Sequence, residues 1–151
     1  MNDKHKRKCT CALCESGDSK GDRIAMITEF EERCMRQFGW FAHVIMDSDN
    51  VTGFSFHTHG LEISQKHKDF EITLPIGQET AHGIMTSIAD RIKAGEKFEE
   101  GKDYDGIIVG FKVRFVERTE TRRQVLRVIL PDKDGNLDRD KVKDDFAKQW
   151  E

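Results

Sequence analysis

The segment Gly53-Phe-Ser-Phe-His-Thr-His59 alternates apolar and polar side chains and predicts a β-strand with two chemically different faces. Successive side chains of a strand point to opposite sides of a sheet, so the two phenylalanines share one face. Ser55, His57 and His59 share the other, which we expect to be the solvated face of a half-buried sheet. This segment therefore predicts both a fold element and a pair of neighbouring imidazoles.

Similar patterns continue on both sides of this strand. Further strands are predicted at Trp40–Met46, Phe70–Leu74, Ile107–Glu117 and Arg123–Leu130. The predicted strand Ile107–Glu117 alternates strongly. Its predicted core face carries Ile107, Val109, Phe111, Val113 and Phe115. Alternation combined with short turns is typical of antiparallel sheets.

Two amphipathic helices are available to cover such a sheet. The first is predicted from Ser19 to Phe38, with an apolar stripe of Ile24, Ile27, Phe30, Cys34 and Phe38. The second is predicted from Glu79 to Ala94, with a stripe of Ala81, Ile84, Met85, Ile88 and Ile92. Gly39 and Gly95 stand where left-handed helix stops are needed. A charged loop is predicted at 96–106, and a polar helix at 138–149 ends the chain.

These elements predict an α+β fold of two layers, in which two or three helices cover a mainly antiparallel sheet. A chain of 151 residues can bury a core without covalent staples, so we expect one domain over residues 1–151. Residues 1–17 form a polar, cysteine-containing N-terminal segment of that domain, and residues 18–151 form the α+β body.

The composition excludes some partners. A formal charge of −3 gives no general attraction to nucleic acid or anionic membranes. No stretch approaches the roughly 20 apolar residues that a membrane span needs, and no signal peptide is recognisable. We therefore expect a cytoplasmic protein with thiols in place of disulfides. The sequence does not decide between a monomer and a homo-oligomer.

Several short motifs, taken in order, resemble a known family. They are Cys11-Ala-Leu-Cys14, Gly39-Trp40, Thr58-His-Gly-Leu61, His67-Lys-Asp-Phe-Glu-Ile-Thr-Leu-Pro75, Phe98-Glu-Glu-Gly101 and Val125-Leu-Arg-Val-Ile-Leu-Pro-Asp132. Together they resemble the bacterial family of domain of unknown function 4262, from about Cys9 to Asp138. The chain departs from that family at Lys68-Asp69, where the family tends to have Pro-Glu. The resemblance implies no reaction, so function must be argued from the residues.

Three cysteines crowd the N-terminal segment: Cys9, Cys11 and Cys14. Cys11-x-x-Cys14 has the spacing with which two thiolates bind one zinc ion. Cys9 could be a third ligand, and Cys34 or His5 could be the fourth. Structural zinc sites usually have a second such pair, which this chain lacks. We therefore predict plain thiols, and we keep zinc binding and a redox pair as alternatives.

The histidine pair is a second candidate site. His57 and His59 lie on one strand face, in good geometry for a shared metal ion or anion. His43 and His67, on neighbouring segments, are further candidates to converge on them. No H-E-x-x-H motif or other catalytic signature accompanies them. The ordinary interpretation is that both imidazoles occupy a wet sheet face, and a metal site is the alternative.

The third candidate is a cationic strand surface. Lys112, Arg114 and Arg118 share one side of their strand, and Arg123 and Arg127 share one side of the next. A hairpin would gather them where a phosphate, a nucleotide or an acidic partner could bind. Exposed aromatics suited to single-stranded nucleic acid are missing, so nucleic acid is not an expected ligand. A charged outer face that only keeps the sheet from edge pairing is the simpler interpretation.

These observations lead to three hypotheses on function, and the residues do not decide whether the protein is an enzyme. The leading one is a non-catalytic binding or regulatory module that engages an anionic small molecule or a protein partner. The second is a metal-assisted hydrolase with a His57/His59 site. The third is a structural zinc protein held by the N-terminal cysteines.

Overall fold

The computed structural model describes residues 29–46, 48, 51–120 and 122–151. The strands are β1 (Phe41–Met46), β2 (Phe54–His59), β3 (Phe70–Ile72), β4 (Asp103–Ile108), β5 (Phe111–Glu120) and β6 (Arg123–Ile129). The α-helices of the described residues are α1 (Glu29–Phe38), α2 (Leu61–Gln65) and α3 (Gln78–Lys93), and a 3-10 helix spans Asp144–Trp150.

All six strands join one sheet in the order β1-β2-β3-β6-β5-β4. The pairing is antiparallel throughout except between β3 and β6, which run parallel. The fold is therefore α+β with a mixed, mostly antiparallel sheet, as the alternating patterns predicted. No helix among the described residues is long and apolar enough to cross a membrane.

Helix α3 packs on one face of the sheet and supplies much of the main core. The five residues of its predicted stripe are all buried, which confirms that prediction. They meet a cluster of sheet and loop aromatics: Phe54, Phe56, Phe70, Phe98 and Phe115. Burial of one such side chain contributes about 1.5–3 kcal/mol, so this face accounts for most of the hydrophobic stabilisation. Gly95 ends the helix region with φ +102°, as expected.

The opposite face of the sheet is covered as well. A second apolar cluster is formed by Val116, Ile129 and Leu137, with Trp150 packed against it. The fully buried Gln149 fastens the 3-10 helix here, because its side-chain amide donates to the Leu130 carbonyl and accepts from the Leu130 N–H. The side-chain amide thus satisfies both backbone polar groups of Leu130, directly after β6, as a neighbouring strand would.

Three predicted elements after residue 95 are wrong. The predicted strand Ile107–Glu117 is the junction of β4 and β5, and it turns at Val109-Gly110, so Val109 is 99% exposed and Phe111 is 42% exposed. Gly110 has φ +83°, which favours a turn over continued alternation. The predicted loop 96–106 accordingly contains the start of β4. The polar helix predicted at 138–149 is a shorter 3-10 helix that begins at Asp144.

The first helix also differs from its predicted stripe. Of the stripe residues that the structure describes, Cys34 is partly buried as predicted, whereas Phe30 and Phe38 are exposed by 65% and 47%. Glu31 and Met35, which lie outside the predicted stripe, are partly buried. The helix is thus rotated so that a polar residue faces the body of the protein. Its end at Gly39 is as predicted, since Gly39 has φ +80° and donates to the Met35 carbonyl. The part of this helix predicted before residue 29 lies outside the described residues.

Gly60, between β2 and α2, allows α1 to approach the sheet closely. Its φ of +102° is unfavourable for other residues, and an added Cβ would meet Met35 and lie 3.0 Å from the Gly39 carbonyl oxygen.

We expect Gly60→Ala to lower the free energy of unfolding by more than about 1 kcal/mol. Gly83→Ala is the matched control, because Gly83 lies inside α3 with open space around it. That change should raise stability by about 0.5–1 kcal/mol. Urea unfolding of both variants tests the opposite signs.

Candidate metal centre

Three histidines from β1 and β2 meet on one face of the sheet. The antiparallel register places His43 directly opposite His57, and Phe41 directly opposite His59. Residues paired in this way, and residues two apart on one strand, project to the same side. His43, His57 and His59 form the only group of three or more metal-ligating side chains within the described residues. We call them the three-histidine centre.

The spacing of the three rings fits a single metal ion. Ring centroids are separated by 5.8 Å (His43–His57), 4.8 Å (His43–His59) and 4.9 Å (His57–His59). Around a tetrahedral zinc with Zn–N bonds of about 2.0–2.1 Å, imidazole centroids lie about 5.2 Å apart. One nitrogen of each ring lies within 4.8 Å of the others, so closure on a metal requires small ring rotations.

The centre is buried on a face that was expected to be wet. His57 and His59 are fully buried and Ser55 is 3% exposed, so the expectation of a solvated face is wrong. His43 keeps 21% of its side chain exposed and lies at the rim of the centre. The ring of Phe41 lies 5.3 Å from both His43 and His59 and forms an apolar wall. Imidazole is the commonest metal-binding side chain, so this face is a candidate metal site.

Two polar side chains lie within hydrogen-bond distance of ring nitrogens of this centre. The Ser55 hydroxyl lies 3.1 Å from Nδ1 of His57, within the same strand. A carboxylate oxygen of Glu31, which α1 contributes, lies 3.3 Å from Nε2 of His43. Both contacts resemble the hydrogen bonds that orient histidine ligands in metal sites.

His67 and His82 lie apart from the centre. The Nδ1–H of His67 donates to the Lys68 carbonyl, and its Nε2 accepts from the Phe98 N–H at 3.0 Å. Burial lowers the pKa of His67, against the raising effect of the Lys68 hydrogen bond, and the neutral ring ties two loops together. His82 is exposed on α3 and stacks on Trp40 at 5.7 Å. Convergence of His67 on the histidine pair, one alternative of the sequence interpretation, does not occur.

The predicted cysteine site falls mostly outside the described residues. Cys9, Cys11 and Cys14 lie outside the described residues. Cys34 lies on α1, is partly buried, and does not belong to the three-histidine centre.

The predicted cationic residues are brought to one face by the pairing of β5 with β6. Four of them contact acceptors of the protein. Arg114 binds Asp103 and Asp138, Arg118 binds the Trp150 carbonyl, Arg123 binds Asp69, and Arg127 binds Glu71. Lys112 is 58% exposed and lies 4.0 Å from Asp105. The arginines therefore neutralise carboxylates and satisfy carbonyls within the fold.

Asp69 is one of these buried acceptors, and it anchors the end of the strand that carries two of the histidines. Its carboxylate accepts from the Thr58 hydroxyl at 2.9 Å and the Leu61 N–H at 3.1 Å, and it lies 3.2 Å from Arg123. Burial raises the pKa of Asp69 to about 6, although Arg123 and the hydrogen bonds to Leu61 and Thr58 pull it down.

Sequence reasoning missed Glu31 and Phe41 as neighbours of the histidines. Glu31 belongs to a helix whose apolar stripe was assigned to another face, so nothing local connected it with β1. Phe41 could be found only from the strand register, because it lies opposite His59 across the pair.

The fold and the site together define an α+β protein with a buried histidine cluster on its sheet. The chain matches the family described as a domain of unknown function, DUF4262, over residues 34–141, and it belongs to this family. That range contains all three histidines of the centre. No curated protein and no solved structure matches the chain.

The raised pKa of Asp69 predicts a pH dependence of stability. Between the ordinary value of 3.8 and about 6, the folded state holds this proton more tightly than the unfolded chain. The free energy of unfolding contributed by Asp69 should thus fall by roughly 3 kcal/mol as the pH rises through that window. Denaturant unfolding between pH 4 and 7 should show a flatter profile for Asp69→Asn. The exposed Asp134→Asn is the control, and an identical profile in Asp69→Asn and the wild type would contradict the assignment.

Proposed function

We propose that this protein binds a zinc ion through His43, His57 and His59, and that the bound ion serves as the centre of a metal-assisted hydrolase. The observation that carries the proposal is the ring geometry, with three centroids 4.8–5.8 Å apart on two adjacent strands. Three rings placed by chance on a sheet face need not come this close, whereas here one nitrogen of each ring lies within 4.8 Å of the others.

The donor set favours a transition metal over calcium or magnesium. Imidazole nitrogens suit zinc, copper, iron and nickel, whereas calcium and magnesium require oxygen ligands. Zinc has no geometric preference from its d electrons, so it tolerates the positions that the protein imposes on its ligands. Three histidines and a water molecule are a common tetrahedral set for this ion. Burial of His57 and His59 in a rigid sheet further reduces the reorganisation that metal binding needs.

Three protein ligands suit catalysis better than structure. Structural zinc sites are closed by four protein ligands, whereas catalytic sites commonly have three and hold water in the fourth position. Zinc lowers the pKa of such a water to about 7 and so supplies hydroxide near neutral pH. His43 at the exposed rim marks the side from which water and substrate would enter. Hydrolysis of an ester, amide or phosphoester bond is the reaction class that this chemistry supports.

The other two hypotheses have less support from the described residues. Anion binding by the cationic strand surface would compete with the ion pairs that Arg114, Arg123 and Arg127 form inside the protein. Of this surface, Lys112 is the exposed residue, and its ion pair with Asp105 has a long separation of 4.0 Å. The structural zinc hypothesis rests on Cys11 and Cys14, which the structure does not describe, and it is separated from our proposal by the variants below.

We predict that purified protein without an affinity tag binds one zinc ion per chain. His57→Gln and His59→Gln should each abolish this binding, because two remaining imidazoles leave the ion mainly in water. His82→Gln should bind normally, since His82 lies apart from the centre. Zinc at 100 times its dissociation constant should also stabilise the wild type by about 2.7 kcal/mol. Metal analysis after dialysis and calorimetric titration measure both effects.

A Cys11→Ser/Cys14→Ser double variant serves as the second control. It should retain zinc if the three-histidine centre is the site. Loss of zinc in this variant, together with full retention in His57→Gln and His59→Gln, would overturn the proposal in favour of thiolate ligands.

We further predict hydrolytic activity that depends on the metal. Chromogenic carboxylic ester and phosphoester substrates should be cleaved by the zinc-loaded protein and not after chelation, with restoration when zinc is added back. His59→Gln should be inactive and His82→Gln should match the wild type. Activity that survives chelation, or that persists in His59→Gln, would exclude the metal mechanism.

A further inference from the structure

A cavity of about 340 Å³ opens between the turn after α2 and the loop that precedes β4. None of the residues that line it belongs to the three-histidine centre. We propose that this cavity binds a small phosphate monoester, which is held by the ammonium groups of Lys66 and Lys97. The proposal goes beyond the zinc-dependent function and does not rest on it.

The lining of the cavity contains three lysines and three glutamates, but the two signs are not equally engaged within the protein. Each of the three carboxylates has an internal partner: Glu117 pairs with Lys68 at 2.9 Å, Glu99 pairs with Lys102, and Glu100 accepts from the Glu117 N–H. A ligand with a positive charge would have to compete with these contacts. The negative side chains of the lining are therefore poor candidates to bind a ligand.

Lys66 and Lys97 differ from the other charged residues of the lining. Both are exposed, and within the described part of the chain neither ammonium group forms an ion pair or a hydrogen bond. The cavity thus presents two positive charges that no described carboxylate compensates. A phosphate monoester has a charge of about −1.5 to −2 near pH 7, and lysine is a common partner of phosphate oxygens. The charge of the lining therefore matches this class of ligand.

His67 holds the two walls of the cavity together. Its Nδ1–H donates to the Lys68 carbonyl on one wall, and its Nε2 accepts from the Phe98 N–H on the other. The buried side chains of Phe98 and Leu126 form the inner end. Small-molecule sites have volumes of about 300–1,000 Å³, so this cavity suits a ligand of metabolite size better than a single inorganic ion. The organic part of the ligand lies toward the apolar inner end, and the phosphate lies at the two lysines.

The backbone of Lys66 gives a second argument. Lys66 has φ +53°, in the left-handed region, and its N–H closes the end of α2 by donating to the Leu61 carbonyl. Glycine is the usual residue at such a helix end, because a side chain is strained there. Lysine is therefore less favourable for stability than glycine at this position. An ammonium group that is needed at the cavity accounts for the presence of lysine.

Titration with phenylphosphonate, followed by ¹H–¹⁵N NMR of the wild-type protein, tests the proposal. This probe has the charge of a phosphate monoester, and its carbon–phosphorus bond resists hydrolysis. Saturable shifts are expected at residues 66–68 and 97–100. Inorganic phosphate lacks the organic part and benzoate has a single charge, so both should bind more weakly, and neutral benzyl alcohol should not bind. Equal or tighter binding of benzoate or benzyl alcohol would overturn the assignment to a phosphate monoester.

Variants test the role of each lysine. Lys66→Gln and Lys97→Gln should each weaken phenylphosphonate binding by about 5–10-fold, because each removes a charged partner of the phosphoryl oxygens. Lys133→Gln is the matched control, since Lys133 is an exposed lysine that does not line the cavity. Affinities of the two cavity variants equal to that of Lys133→Gln would overturn the proposal.

Lys66→Gly separates ligand binding from stability. It removes the ammonium group and the backbone strain together, so it should weaken phenylphosphonate binding as Lys66→Gln does and raise the melting temperature by about 2–4 °C. A lower melting temperature with unchanged affinity would contradict both arguments from Lys66.

The His59→Gln variant distinguishes this site from the three-histidine centre. It should bind phenylphosphonate as the wild type does, whether or not the wild type holds zinc, because His59 does not line the cavity. Loss of phenylphosphonate binding in His59→Gln, with retention in the two lysine variants, would place the anion at the three-histidine centre and overturn the proposal.

Discussion

The antiparallel register of β1 against β2 is the constraint on which the three-histidine centre depends. Ser48 donates to the Gly53 carbonyl and closes the connection between the strands, and the register that follows puts His43 opposite His57. A slip of one residue would turn His43 to the face that carries Phe54 and Phe56. The centre would then lose a ligand, and the core would gain an imidazole.

The same row of the sheet extends beyond the histidines. His43 lies opposite His57, His57 opposite Glu71, and Glu71 opposite Arg127, so one line across four strands carries polar side chains. The line ends at the apolar Val116 of β5, opposite Arg127. Glu71 and Arg127 are nearly buried, and their contact of 2.7 Å, with a further bond from Arg127 to the Gln149 carbonyl, offsets the loss of hydration. A buried charge without such partners costs several kcal/mol. The charges of these cations are therefore compensated inside the fold, and a ligand would have to compete with their internal partners.

Much of the fold was predictable because it follows from local periodicity. The buried stripe of α3, the glycine ends of the helices and four of the strands were recognised from patterns within a few residues. The prediction was wrong where two elements share one pattern. Ile107, Val109 and Phe111 alternate correctly for a strand, yet Gly110 permits a turn between them, and pairing of β4 with β5 is the more favourable use of the segment. The stripe of α1 was partly wrong for a related reason, because its orientation depends on what it packs against.

The candidate site divides in the same way. Alternation alone placed His57 and His59 side by side, since strand geometry requires that residues two apart share a face. The remaining features of the site depend on contacts between distant parts of the chain. They are the burial of that face, the position of His43 on the neighbouring strand and of Glu31 on α1, and the pairing of the arginines with carboxylates. Periodicity describes what one element can present. Register and packing decide which elements it meets, because the free energy of those contacts belongs to pairs of segments and not to either segment alone.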